Sequence, residues 1–180
     1  MPRRFSTDLG GGRVYFVVSN YCKLDKLLFR TRSDYQRFMT ILARLTRQTT
    51  GISVLAYLLT PNSYHLIISQ DEEALVSKFM HRVGVSYAMY FQTKYNLNGK
   101  LFKGPYKERV LNDDDNVIRE ICYLHLSIRK DNVSPEKYEW SSYHKYLSNQ
   151  APWLNKDLLK NYLKSQNLAY DLRYLTDSLR

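Results

Sequence analysis

The chain has 180 residues, enough for one domain with a sizeable buried core. Its 44% hydrophobic and 24% charged content is that of an ordinary globular protein, and no apolar run approaches the roughly 18 residues a membrane span needs. Lys and Arg number 27 against 17 Asp and Glu, a net charge of +10, which points to a polyanionic partner: nucleic acid first, an anionic membrane surface or an acidic protein otherwise.

The basic start, Met1-Pro2-Arg3-Arg4-Phe5, is not followed by the apolar stretch of a signal peptide, so the expected location is the cytoplasm or nucleoid. Gly10-Gly11-Gly12 leads into Arg13 to Ser19, a β-branched and aromatic stretch that predicts a strand. Ser33-Asp34 predicts a helix cap, and Tyr35, Phe38, Met39, Leu42 and Leu45 form a 3.6-period stripe up to Thr49. Gly51 ends that helix. Ile52 to Thr60 and Ser63 to Ser69 predict two strands joined tightly at Pro61-Asn62 as an antiparallel hairpin. Asp71-Glu72-Glu73 opens a second helix, where its dipole favours acids. Its stripe is Val76, Phe79, Met80, Val83, Tyr87, Tyr90 and Phe91, and it ends near Asn96 to Gly99. Tyr106 to Leu111 predicts a fourth strand. Asp113-Asp114-Asp115 opens a third long helix that buries Val117, Ile118, Ile121 and Ile128. One or two helices follow Pro135, with Leu158, Leu159, Tyr162 and Leu163.

This order, βαββαβ and then α, predicts an α+β fold: a ferredoxin-like antiparallel sheet with helices on one face and a C-terminal helical extension. Residues 1–150 form the main domain and 151–180 an extension packed on it. Cys22 and Cys122 stand in no metal-ligand spacing and are expected to be reduced core thiols.

Side chains alternate across a strand, so Ser63 and His65 share one face of theirs. A strand histidine can be a metal ligand or a half-buried hydrogen-bonded residue, and the pattern alone leaves both open. The 16 tyrosines interleave with lysines and arginines, which suits base stacking with phosphate contact as well as a tyrosine-rich rim to the core. Lys100, Lys103, Lys107, Arg109, Arg129 and Lys130 cluster in sequence, with Phe102, Tyr106 and Tyr123 among them, and Arg13 adds a cation at the first strand.

Four segments in order resemble the single-tyrosine transposases of the HUH nuclease class, in their REP-associated branch. They are Leu59-Thr60-Pro61-Asn62-Ser63-Tyr64-His65-Leu66-Ile67-Ile68, Gly99-Lys100-Leu101-Phe102-Lys103-Gly104-Pro105-Tyr106-Lys107, Ile121-Cys122-Tyr123-Leu124-His125 through Arg129, and Tyr138-Glu139-Trp140-Ser141-Ser142-Tyr143. The resemblance covers about residues 8 to 150. It implies a DNA transposition enzyme that nicks and rejoins single-stranded or hairpin DNA through a 5′-phosphotyrosine, with Tyr123 as nucleophile. It implies a divalent metal, Mg²⁺ or Mn²⁺, acting as Lewis acid at the positions of Ser63, His65 and Ser127. Glu120, one helical turn before Tyr123, is a further oxygen-ligand candidate. The cationic residues named above would be the DNA contacts, and the protein a monomer or homodimer. His125, turned away from Tyr123, is expected at the surface or on DNA.

The sequence departs from the family pattern at the ligands. Ser63 replaces the first histidine and Ser127 the amide, while Pro105 replaces an arginine and Ile128 a proline. Serine hydroxyl is a poor ligand for a divalent metal. The alternatives are therefore a transposase-derived DNA- or RNA-binding protein without cleavage, possessing no metal, and a basic domain that binds an acidic protein.

Overall fold

The computed structural model describes residues 13–23, 27–71, 75–111, 113–131, 133–147 and 151–165. Four strands form one antiparallel sheet in the order β2-β3-β1-β4: β1 Val14–Tyr21, β2 Ile52–Thr60, β3 Ser63–Gln70 and β4 Lys107–Leu111. Five helices accompany it: α1 Arg32–Gln48, α2 Leu75–Tyr95, α3 Asp114–Leu126, α4 Tyr143–Leu147 and α5 Asp157–Ser165. A 3₁₀ turn, Ser127–Asp131, continues α3.

The alternation of the strands divides the core in two. Val18, Tyr64, Leu66 and Ile68 face α1 and α2, where they meet Phe38, Leu42, Phe79, Val83 and Tyr87. Tyr15, Ile67 and Leu111 face the other way, onto Val117, Ile118, Ile121, Leu124 and Ile128. Each such large apolar side chain contributes about 1.5–3 kcal/mol on burial. The two helices within the βαββαβ order thus share one face, as expected, and the added α3 covers the opposite one. The hydroxyl of Tyr15 donates to Asp114 Oδ1 (2.7 Å) and pins the start of α3 to β1.

The local signals at the helix ends resolve as follows in the fold. The cap of α1 is Thr31, not Ser33. Asp34 acts from inside the first turn, where its Oδ2 accepts the backbone N–H of Arg30 and Thr31 (2.9 Å each). Gly51 ends the helix with φ +76°, a conformation that glycine adopts at little cost. Residues Glu72 and Glu73 lie outside the described residues, while Gln70 Oε1 caps α2 by accepting from the N–H of Val76 (3.1 Å).

β2 is an edge strand, and its outer side is covered. Leu59 N–H donates to Trp140 O, Ser142 N–H to Tyr57 O and Asn155 N–H to Val54 O, each at 2.9 Å. Trp140, Ser142 and Asn155 therefore help close this edge against pairing with another chain. Leu159 on α5 is fully buried in the α3-side core. The side chains of Tyr162 and Leu163 lie outside the described residues. Cys22 and Cys122 are buried thiols that form no disulfide, and burial pushes the Cys122 thiol up to about 11.

Candidate functional site

The strand register sets the site. Ser19 stands opposite His65 on one side and Lys107 on the other, while Tyr21 stands opposite Ser63 and Val17 opposite Arg109. Ser63, His65, Ser19, Lys107 and Arg109 all fall on the face that α3 covers. Glu120 reaches from α3 to Arg109 on β4 (Nη2 to Oε2, 2.8 Å). Tyr123 and Ser127 follow Glu120 on the same helical stripe, the flank toward β4. Tyr123 is 57% exposed, whereas its helix neighbours Cys122 and Leu124 are buried.

A second connection brings the 101–103 segment to the end of β1. Lys23 N–H donates to Leu101 O (2.9 Å), Lys103 N–H donates to Tyr21 O (3.0 Å), and Asn20 Nδ2 donates to Gly104 O (3.3 Å). Tyr21, itself 40% exposed, sets its ring edge-on to His65 at 5.7 Å. Lys103 and Lys23 thus join the His65 end of the sheet, and both are exposed.

The other predicted residues distribute unevenly. Lys100 is exposed just after α2. Arg129 is half-buried in the 3₁₀ turn, and the side chain of Lys130 lies outside the described residues. Arg13 does not join the group. It sits at the opposite end of β1, about 25 Å along the strand from Tyr21, and its Nε pairs with Asp71 at 2.8 Å. His125 is also elsewhere: it is fully buried, not at the surface. Its Nε2 is hydrogen-bonded to Ser142 Oγ (2.6 Å), which also accepts the N–H of Tyr57 (2.9 Å). The histidine of the α3 motif and the second serine of the Trp-Ser-Ser-Tyr motif are thus one buried joint between α3 and the β2 edge. Burial holds His125 neutral, pushed down to about 3.

The residues expected to hold a metal each have another partner. His65 Nε2 is 3.0 Å from Ser63 Oγ, which is 2.6 Å from Thr60 Oγ1, whose hydroxyl donates to Asn62 Oδ1 (3.1 Å). Ser63 Oγ thus bridges Thr60 Oγ1 and His65 Nε2, and so occupies the nitrogen a metal would need. Burial lowers the pKa of His65, favouring the neutral ring. Ser127 Oγ donates to Leu124 O (2.7 Å), and Glu120 is tied to Arg109. Among the described residues no three His, Cys, Asp or Glu side chains come together in a way that could hold a metal ion. This donor set does not fit a divalent cation.

Sequence reasoning missed Thr60, Ser19 and Tyr21: the strand register sets Ser19 opposite His65 and Tyr21 opposite Ser63, and Thr60 reaches Ser63 across the β2–β3 turn.

The structure matches that of a REP-associated tyrosine transposase bound to a REP hairpin. The TM-score is 0.62 at 13% identity, over 84% of this chain and 89% of that one. The chain has the fold of a REP-associated tyrosine transposase. A crystal structure of a Deinococcus radiodurans R1 protein assigned as a transposase also aligns, with TM-score 0.45 and 14% identity over 65% of this chain and 91% of that one. No protein-family model and no curated protein matches the sequence. In this chain the two motifs meet at His125 and Ser142, which tie α3 to the β2 edge. No helix of the described residues is long and apolar enough to cross a membrane.

Proposed function

We propose that the protein binds hairpin or single-stranded DNA on the α3 face, as a transposase-fold protein that does so without a bound metal. The observation that carries this reading is the hydrogen-bonded chain His65–Ser63–Thr60–Asn62, which engages the would-be ligands. The face supplies what strand binding needs. Lys103, Lys107 and Arg109 provide cations for phosphates, and exposed Tyr21 and Tyr123 provide rings for bases. Likeness in fold to a protein solved with a REP hairpin supports hairpin DNA as the first ligand to try. The cytoplasm or nucleoid follows as the site of action.

The test is binding of a labelled DNA hairpin across a salt series, in EDTA and in Mn²⁺. Salt-sensitive binding that is equal in both supports the reading. Binding that appears only with Mn²⁺ overturns it.

A second reading is favoured by the 57% exposure of Tyr123: strand nicking through its hydroxyl, which would form a phosphotyrosine ester and release a 3′-OH. It predicts a denaturation-resistant protein–DNA adduct, absent from Tyr123→Phe. The binding reading predicts no adduct with EDTA, Mg²⁺ or Mn²⁺.

A further inference from the structure

At the far end of β2, the C-terminal turn of α1 and the start of α5 border an open cleft of about 510 Å³. Arg47 enters it from α1, and Lys156 and Lys160 from around the start of α5. Ser53, Asn155 and the ring of Trp153 complete the wall. Trp153 is backed by Tyr57 in a near-parallel stack (centroids 5.9 Å, 21° apart). The cleft stands apart from the α3 face near His65. Ser53 and Thr60 are seven residues apart on β2, roughly 23 Å of strand.

The cleft concentrates positive charge. Arg47 and Lys160 form no ion pair with any described residue. Lys156 is only 8% exposed, and its Nζ donates to Lys145 O at 2.8 Å. Burial, then the charges of Lys160 and Lys145, lower its pKa, a sign of crowded cations. One carboxylate, Asp157, also lines the cleft, at the first turn of α5. Three cations against one acid, beside an aromatic ring, form a surface that attracts an anion attached to a flat ring. Pockets for such small molecules are roughly 300–1,000 Å³.

We propose that this cleft is a second ligand site that takes a nucleoside phosphate, with the phosphate on Arg47 and Lys160 and the base against Trp153. The nucleotide can be free or part of a strand, and the chemistry of recognition is the same. The site is independent of the α3-face reading.

Calorimetric titration uses the full chain carrying Lys103→Glu and Lys107→Glu, which weakens the α3-face contribution. Three probes are compared: deoxyadenosine 5′-monophosphate, deoxyadenosine, and a short 5′-phosphorylated oligothymidine. The proposal expects the monophosphate or the oligomer to bind and deoxyadenosine to bind at least about tenfold more weakly. Lys160→Glu, an exposed substitution on a helix surface, should weaken that binding at least about tenfold, equivalent to about 1.4 kcal/mol. Binding of the oligomer alone identifies a strand as the source, and binding of the monophosphate a free nucleotide. Equal binding of deoxyadenosine, no binding by either phosphate probe, or indifference to both Lys160→Glu and Arg47→Glu overturns it.

Discussion

At the scale of single residues, the structure separates side chains that serve the fold from those offered to a ligand. His125 and Ser142 serve the fold. Ser142→Ala would leave both the Tyr57 N–H and His125 Nε2 without their hydrogen bond to the Ser142 hydroxyl inside the core. A loss of about 2–4 kcal/mol in denaturant unfolding is expected. His125 also sets a pH dependence. Its folded pKa is depressed from the ordinary 6.5 to about 3 by burial. Between these values the unfolded chain binds one more proton, so stability is lost as pH falls below about 6.5, at about 1.4 kcal/mol per pH unit. His125→Asn should remove that part of the slope, as measured by unfolding at a series of pH values. The sequence alone placed His125 at the surface because its helical position alternates with Tyr123. The burial comes from the Trp-Ser-Ser-Tyr segment, which is distant in sequence and covers it. Tyr123 is the converse: it is 57% exposed, on the α3 flank that Glu120 ties to β4 through Arg109.

At the scale of elements, α1 and α2 are joined through Asp34. Its carboxylate is fully buried and receives Lys94 Nζ (2.6 Å), Tyr95 OH (2.6 Å) and Tyr90 OH (2.9 Å), besides the two N–H groups of the helix start. Burial alone would raise its pKa, but the hydrogen bonds from Lys94, Tyr95, Thr31 and Tyr90 outweigh it and hold the carboxyl well below the usual carboxylate range. The contribution is therefore present above the unfolded pKa of about 3.9 and lost as pH falls through the folded one. Asp34→Asn should cost roughly 2–4 kcal/mol at neutral pH, with the difference from the parent shrinking below about pH 4 in denaturant titrations. Element type and order were legible in the sequence, since alternation and 3.6-residue stripes mark each strand and helix. The hairpin at Pro61-Asn62 was legible too, because two tight-turn residues between apolar runs leave little alternative. What was not legible is pairing. Only the register brings Ser19 and Tyr21 to the His65 end, where the Lys103 backbone N–H then bonds Tyr21 O, and it leaves Arg13 at the other end of β1 beside Asp71.

At the scale of the whole molecule, a +10 chain is arranged as a sheet with α1 and α2 on one face and α3 on the other. The candidate site lies on the α3 face, at the end where the β2–β3 turn meets the end of β1. Phosphate contacts there should make binding salt-dependent. Each contact removed by Lys103→Glu or Lys107→Glu should flatten the slope of log K against log salt by roughly 0.7–0.9. The metal question belongs to this scale as well, because Ser63→His changes the donor set while leaving Lys103, Lys107 and Arg109 in place. Restoring a histidine there, together with Ser127→Asn, should introduce Mn²⁺ binding that the parent lacks, read by calorimetry without DNA. The central claim is that the face near His65 holds DNA without a metal. Fluorescence anisotropy of a labelled hairpin, titrated in EDTA and in Mn²⁺, tests it most directly. Equal affinities in the two conditions, each weakened by Lys103→Glu with Lys107→Glu, are the predicted result. Binding that requires Mn²⁺, or that ignores both lysines, would contradict it.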